Sequence, residues 1–319
     1  MRRPTLAGRK PGDVPVIQVS TATDVGLVRH NNEDYVKAER VDHSGRPFRV
    51  WVVADGIGGG PQGEKAGLTA VDTVIDYLAK EPWTDPAIAL TEAFALANRN
   101  VFEITGEGAA ASTLVVALMA EQDRMLAIAN VGDSRAYLVT DGVAWQITQD
   151  HSIVAARVAA GQITAAEART APDRNVLTRG IGSEREVQVD VFGPRQMQHN
   201  QRLVLCSDGV HGMIEDAAIG HLGGSLPITE SAGALVAAAL EAGGKDNATA
   251  LVGGFELVRR LPRRAIQVAI GVVVAVLLAI GIVNLTSSNP AKSSAPPPPP
   301  TPTLHGGPPA LPSQQSHTP

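Results

Sequence analysis

The chain has 319 residues, a formal net charge of −5 and a single cysteine, Cys206. This length is sufficient for one large domain whose hydrophobic core needs no disulfide or structural metal. The negative charge argues against nucleic acid as a partner. One cysteine excludes an intrachain disulfide, which fits a reducing compartment.

The N-terminal residues 1–13 are predicted to be a flexible segment. They carry positive charge, but no apolar run follows them, so they lack the pattern of a secretory signal. Residues 14–256 are then predicted to form the working domain.

Hydrophobic periodicity predicts both strands and helices in this domain. Val71, Val74 and Leu78 recur at helical spacing, and Pro86 suits the first turn of a second helix. Asp141-Gly142, between two strand-like segments, predicts a β-hairpin. The predicted strands are 49–55, 112–120, 125–133, 135–140, 143–148, 186–192, 202–206 and 247–257. The predicted helices are 64–80, 86–104, a helix-prone stretch at 152–170 and one near 230–242. Tight turns between strands and long helices in pairs predict an α+β fold of antiparallel sheets covered by helices.

A long apolar run follows the working domain and predicts one C-terminal transmembrane helix over residues 265–285. Its first 19 residues contain no charge, and a helix of that length spans roughly 28 Å, close to a bilayer core. The alternative is a buried helix of a soluble protein, but such helices rarely stay apolar on every face.

The flanks of this run predict its orientation. Arg259, Arg260, Arg263 and Arg264 lie in or beside the predicted juxtamembrane segment 257–264, whereas Lys292 is the only charged residue after the run. Cationic flanks stay on the cytoplasmic side, which predicts a single-pass protein of the cell membrane with residues 1–264 in the cytoplasm. The proline-rich residues 286–319 are predicted to be a disordered extracytoplasmic tail.

Acidic residues recur at the ends of apolar strands, next to Gly, Ser or Asn. The acids in this setting are Asp55, Asp133, Asp208 and Asp246, to which Glu33 and Asp34 in "RHNNEDY" are added. Carboxylates at strand ends can converge on one rim of a sheet, where their repulsion needs a compensating cation. Oxygen-only ligands suit Mg²⁺ or Mn²⁺ rather than zinc. A single Asp-Gly is most often only a turn, but four separated strands with the same feature favour a metal site.

Two known phosphate-binding motifs, the P-loop and the cysteine phosphatase loop, are excluded by spacing. "GGGPQGEKA" at residues 58–66 lacks the P-loop order, because Glu64 precedes Lys65 and Ala66 follows it. A cysteine phosphatase needs an arginine a few residues after its thiolate, and "SDGVHG" after Cys206 contains none. Cys206 is therefore predicted to be a small core residue.

Eight segments in order resemble the metal-dependent serine/threonine protein phosphatases of type 2C, in their bacterial membrane-anchored form. They are "VGLVRHNNED", "VVADGIGGGPQGEKA", "STLVVAL", "ANVGDSRAYL", "ITQDHS", "NVLTRGIG", "LVLCSDGV" and "GGKDNATALV". The resemblance implies a four-layer α-β-β-α sandwich, two antiparallel sheets flanked by helix pairs. It also implies two or three Mn²⁺ or Mg²⁺ ions at one edge.

The resemblance also implies a role for each matching residue. Asp55 would bridge two metals and the Gly56 carbonyl would ligate one of them. Asp208 and Asp246 would hold the first metal, and Glu33 would contact the second largely through water. Asp133 with Asp208 would form a weaker third site. Arg29 would bind the substrate phosphate, Asp34 and Asn247 would be supporting groups, and residues 150–185 would form a flap beside the site.

The sequence departs from the family pattern at a few positions. Ile57 and Gly60 replace the usual Met and His, and Ala111-Ser112-Thr113 replaces Gly-Thr-Thr. None of these changes removes an implied metal ligand. Ile57 cannot act as the general acid that a neighbouring His provides in some relatives, so water or another group must protonate the leaving oxygen.

These features predict an enzyme that hydrolyses phosphoserine and phosphothreonine in cytoplasmic proteins with a metal-activated water. Phosphorylated membrane kinases are expected substrates by analogy alone, and the catalytic domain is expected to be monomeric. One alternative is a catalytically inactive domain that binds a kinase at the membrane, although such copies would be expected to have lost ligand acids. Another is a structural protein of the membrane or cell wall, which would not explain the acids.

Overall fold

The computed structural model describes residues 13–259 of the chain. This part of the chain forms eleven strands and seven helices. The strands are β1 (Asp13–Asp24), β2 (Asp34–His43), β3 (Arg46–Ile57), β4 (Ala111–Ser112), β5 (Leu114–Ala120), β6 (Met125–Val131), β7 (Arg135–Thr140), β8 (Val143–Gln146), β9 (Asp190–Gln196), β10 (Gln201–Cys206) and β11 (Ala248–Arg259). The helices are α1 (Pro61–Lys80), α2 (Pro86–Ile104), α3 (Ile153–Ala159), α4 (Ala165–Thr170), α5 (Asp208–His211), α6 (Asp216–Ser225) and α7 (Ile228–Glu241).

The strands form two antiparallel sheets. One has the order β1-β11-β10-β7-β8, and the other has the order β2-β3-β5-β6-β9, with β4 paired to β3. Chain neighbours β2 and β3, β5 and β6, and β7 and β8 pair directly, whereas β1 pairs with β11 from the other end of the domain. The α+β fold with two antiparallel sheets and covering helices is therefore confirmed.

The inner faces of the two sheets pack against each other. Trp51 and Met119 from one sheet and Leu205 and Leu251 from the other belong to one fully buried cluster. Gly253 in β11 makes room for the indole of Trp51, because a Cβ at this glycine would lie 2.6 Å from the ring. Close interdigitation of this kind keeps the two sheets in one register relative to each other.

Helices cover the outer faces of both sheets. Val71, Val74 and Leu78 of α1 and Phe94 of α2 pack with apolar residues of the β2–β3–β5–β6–β9 sheet. On the other side, Leu235 of α7 and Ile219 of α6 pack with the second sheet. The order of layers is helix pair, sheet, sheet, helix pair.

Most predicted elements are found within a few residues of their expected bounds. Helix α2 has the predicted bounds and begins at Pro86, and Asp85 caps it by accepting from Ala87 N and Ile88 N. Asp141 and Gly142 connect β7 and β8 with positive φ angles of 50° and 79°, which confirms the hairpin. The predicted strand at 186–192 was wrong in position, because β9 begins at Asp190 and pairs with β6.

The predicted membrane segment lies outside the described residues. Within residues 13–259, no helix is long and apolar enough to cross a bilayer. The proline-rich tail and the first residues of the chain also lie outside this range. Strand β11 runs to Arg259 and so includes the first three residues of the segment predicted to be juxtamembrane.

Candidate metal and phosphate site

One edge of the sandwich contains a cavity of about 150 Å³. Eight of the nine residues predicted for the site line it: Arg29, Glu33, Asp55, Gly56, Asp133, Asp208, Asp246 and Asn247. Ile57, Gly58, Gly59, Asn175 and Leu177 complete the lining. The acids come from separate elements: the start of β2, the end of β3, the turn between β6 and β7, the start of α5, and the turn before β11.

The ninth residue, Asp34, lies beside the cavity and does not line it. It pairs with Asp55 in the ladder between β2 and β3, and its Oδ2 accepts a 2.7 Å hydrogen bond from Ser207 Oγ. Burial raises the pKa of Asp34 to about 7, although the hydrogen bond from Ser207 by itself lowers this pKa. Asp34 therefore links β3, through its backbone, to the residue that precedes Asp208, through its carboxyl.

The carboxylates in the cavity destabilise one another. Burial, followed by repulsion from neighbouring aspartates, raises the pKa of Asp55 and of Asp133 well above the ordinary value, and that of Asp208 to about 6. The Oδ1 of Asp208 is buried among these groups, and no donor in the described residues reaches it. A proton or a cation is needed between them.

The donor set fits hard divalent cations. The cavity presents carboxylates and the backbone of Gly56, whereas imidazole and thiolate groups do not line it. Within residues 13–259, no three acidic, histidine or cysteine side chains are arranged to enclose an ion by themselves. Oxygen donors of this kind suit Mg²⁺ or Mn²⁺, which usually complete their coordination with several waters.

Glycines let the end of β3 and the start of α1 approach the acid cluster. A Cβ at Gly56 would lie 2.1 Å from the backbone oxygen of Gly63, and a Cβ at Gly63 would lie 1.8 Å from Glu33 Oε2. The backbone N–H of Gly60 donates a 2.6 Å hydrogen bond to Glu33 Oε1. Glu33 thus caps a helix whose N-cap residue, Gly60, has no side chain of its own.

Hydrogen bonds over long sequence distances position the loop that contains Arg29 and Glu33. Asn247 Oδ1 accepts from Glu33 N at 2.9 Å, and Asn247 Nδ2 donates to the carbonyls of Val25 and Asn31. Arg29 is half exposed and donates a 2.8 Å ion-pair hydrogen bond to Asp246. The supporting role of Asn247 stays a prediction, and these contacts show where its side chain lies.

Several residues that hold the acids were not identified from the sequence. Ser112 Oγ and Thr113 N both donate to the carbonyl of Asp55, and Thr113 Oγ1 accepts from Asp55 N. Thr113 also bonds to Ser134, the neighbour of Asp133. The available signal was a pair of hydroxyl residues at the start of an otherwise apolar strand.

Two buried histidines also contact the loops of the site. The Nε2–H of His211 donates to the carbonyl of Asp133 at 3.0 Å, and burial lowers the pKa of His211 to about 3, so the ring is neutral. His151 Nδ1 accepts from Gly132 N. Neither side chain lines the cavity.

Cys206 is buried in the apolar cluster between the second sheet and its helices. Burial raises the pKa of its thiol to about 12, so the group stays protonated. This agrees with the predicted packing role.

Comparison with known proteins identifies the family of this domain. The model of the protein phosphatase 2C family matches residues 22–157. The serine/threonine phosphatase stp of Listeria innocua is 34% identical over 248 residues, which cover 72% of this chain and 92% of that protein. The chain belongs to the protein phosphatase 2C family. It is a metal-dependent serine/threonine protein phosphatase, as predicted.

Solved structures of related phosphatases have the same fold. The phosphatase MsPP of Mycobacterium smegmatis, in complex with cacodylate, is 34% identical with a TM-score of 0.65, covering 74% of this chain and 97% of its own. The catalytic domain of PstP, in complex with two manganese ions, is 31% identical with a TM-score of 0.64, covering 76% and 99%. The predicted Mn²⁺ or Mg²⁺ cofactor is confirmed at the level of the family.

Proposed function

We propose that this phosphatase hydrolyses phosphoserine and phosphothreonine in cytoplasmic proteins at a centre of two divalent ions, thereby reversing serine/threonine kinase signalling. The observation that supports this best is the cavity itself, which is lined by five carboxylates from separate elements and by Arg29. Without a bound cation, such a cluster of ionised carboxylates would destabilise the folded state, because buried like charges repel one another.

The roles proposed for the chain's residues follow their places around the cavity. Asp55 would be shared by two ions, with Gly56 beside it. Asp208 and Asp246 would complete the first position and Glu33 would serve the second, while Asp133 with Asp208 would serve a weaker third. When bound, the ions would supply a water of lowered pKa and positive charge near the phosphoryl oxygens.

The protein's own groups would orient these reactants. The N-terminus of α1 holds the carboxylate of Glu33, and Ser112 and Thr113 hold the backbone of Asp55, so both residues would be in place before substrate binds. Arg29 would leave its ion pair with Asp246 to bind two phosphoryl oxygens, a geometry that suits the planar guanidinium group. Pre-ordered charges of this kind stabilise a phosphoryl transition state without a protein nucleophile.

Removal of divalent ions tests the proposed reaction. We expect the full chain to hydrolyse p-nitrophenyl phosphate and phosphothreonine peptides with Mn²⁺ or Mg²⁺, and to lose activity after chelation, because only oxygen ligands line the cavity. Readdition of Mn²⁺ should restore the rate, whereas Zn²⁺ should not substitute efficiently. Full turnover after exhaustive chelation would contradict the proposal. Metal binding without turnover on any phosphopeptide would support the inactive kinase-binding alternative.

We also propose that residues 265–285 anchor the enzyme in the cell membrane, with the catalytic domain in the cytoplasm and membrane kinases among its substrates. Support comes from the apolar run and from the arginines that precede it. Proximity to the membrane would raise the local concentration of phosphorylated membrane kinases. Phosphoproteomics of a deletion strain would identify the substrates.

Reporter fusions test this topology. β-Lactamase fused after Pro319 should protect cells against ampicillin, because the tail is expected outside the cytoplasm. The same enzyme fused before Met1 should not protect them. The reverse pattern would overturn the orientation, and protection by neither fusion would contradict the membrane span.

A further inference from the structure

Exposed aliphatic side chains are frequent in the segments that form and border the cavity. In the part of the chain that the structure describes, eleven large apolar side chains are exposed, and five of them belong to this region: Leu27, Val28, Ile57, Ile153 and Val176. Isolated exposed apolar residues are common and need no explanation. Five of them in the segments that border one polar cavity do need one, because exposed apolar groups that occur close together often mark a binding site.

The chain connects each of these residues to the cavity. Ile57 lines it, Val28 precedes the lining residue Arg29, and Val176 lies between the lining residues Asn175 and Leu177. The other two are tied to the same segments by backbone hydrogen bonds. Leu27 N donates to Gly244 O, two residues before Asp246, and Ile153 N donates to Val176 O at 2.9 Å.

The cavity itself determines what would cover this apolar surface. A phosphorylated side chain must insert its phosphoryl group among the carboxylates and Arg29, so the residues on either side of it must lie across the mouth. Their side chains would meet aliphatic groups from the 25–30 loop and from the 150–185 segment. Burial of aliphatic surface on both partners is favourable, at about 25 cal/mol per Å².

We infer that the mouth of the cavity selects phosphorylated segments with aliphatic side chains next to the phosphoresidue. This inference rests on the proposed function and names the class of protein segment on which that function acts. Arg174 and Lys245, both exposed and each next to a lining residue, offer the competing possibility of acidic flanks, which the test includes.

Three phosphothreonine peptides of equal length test the inference, with aliphatic, neutral polar or acidic residues at the positions flanking the phosphothreonine. The full chain in Mn²⁺ should show at least a fivefold higher kcat/KM on the aliphatic peptide than on the polar one. The V28T/V176T variant should reduce this ratio to below twofold, since each substitution keeps side-chain shape but replaces a methyl by a hydroxyl. Its rate on p-nitrophenyl phosphate, which has no flanking residues, should stay unchanged.

The matched control is V143T on β8. Val143 is 50% exposed, close to the 46% of Val176, but it lies away from the cavity lining. It should leave the peptide ratio at the wild-type value. Equal kcat/KM on the aliphatic and polar peptides, preference for the acidic peptide, or a ratio that survives V28T/V176T would each overturn the inference while leaving the phosphatase function standing. Absence of hydrolysis of all peptides and of p-nitrophenyl phosphate would instead contradict the proposed function itself.

Discussion

Asp208→Asn is expected to lower kcat by more than tenfold while leaving the fold intact. The substitution keeps the shape of a buried side chain but removes a negative charge that would face two ions. A tenfold loss corresponds to about 1.4 kcal/mol of barrier, and a shared ligand should contribute at least that much. Steady-state kinetics at saturating Mn²⁺, together with the Mn²⁺ affinity from calorimetry, would measure the effect. Asp76→Asn on the exposed face of α1 is the matched control and should retain the full rate, because its ion pair with Lys80 is solvent-exposed.

The same substitution should have a pH-dependent effect of opposite sign on the metal-free protein. Burial, and then repulsion by Asp246, raises the pKa of Asp208 from 3.8 to about 6, so the folded state binds this proton more tightly than the unfolded chain. The metal-free wild type should therefore lose stability as the pH rises from about 4 through 6. The variant lacks this titration and should be more stable than the wild type at pH 7.5, by on the order of 1–3 kcal/mol.

Urea denaturation in chelator would measure this difference. It should shrink as the pH falls through 6 and vanish only below about 4, where the carboxyl becomes protonated in the unfolded chain as well. A variant that retained most of its activity, or that was less stable than the metal-free wild type at pH 7.5, would contradict the placement of Asp208 in a crowded carboxylate cluster.

Gly209→Ala is expected to destabilise the domain by about 3 kcal/mol or more, although alanine is the better helix former. Gly209 lies in α5, directly after Asp208, and a Cβ there would lie 1.8 Å from the backbone oxygen of Asn247. Backbone atoms cannot rotate away, so the start of α5 would have to separate from the start of β11. Activity should fall as well, because this contact keeps Asp208 close to Asp246.

Gly233→Ala provides the matched control in α7. No heavy atom lies within 4 Å of a Cβ at Gly233, so this substitution should stabilise the domain by about 0.5–1 kcal/mol through helix propensity alone. Urea denaturation of the metal-free proteins would compare the two variants. A similar stabilisation by Gly209→Ala would show that α5 and β11 do not approach as closely as the structure describes.

Local patterns in the sequence were sufficient for much of this fold. Helix α2 was predictable at both ends, because its apolar periodicity begins with a proline that suits the first turn. The β7–β8 hairpin was predictable from Asp141-Gly142, because a tight turn of this kind requires positive φ at both residues. Helix α6 was not recognised: its two adjacent glycines, Gly223 and Gly224, weaken any local preference, and packing against the second sheet supports it instead.

For the site, the sequence by itself identified the acids that line the cavity, and four of them, Asp55, Asp133, Asp208 and Asp246, follow or precede an apolar strand beside a small residue. The tertiary structure alone decided what holds them there. Glu33 caps α1, and His211 of α5 donates to the carbonyl of Asp133. Asn247 accepts a hydrogen bond from Glu33 N, which lies more than 210 residues earlier in the chain. Such contacts join positions that are far apart in sequence and leave no periodic signal. They exist only because two packed sheets bring distant strand ends to one edge, where each buried polar group must find a partner.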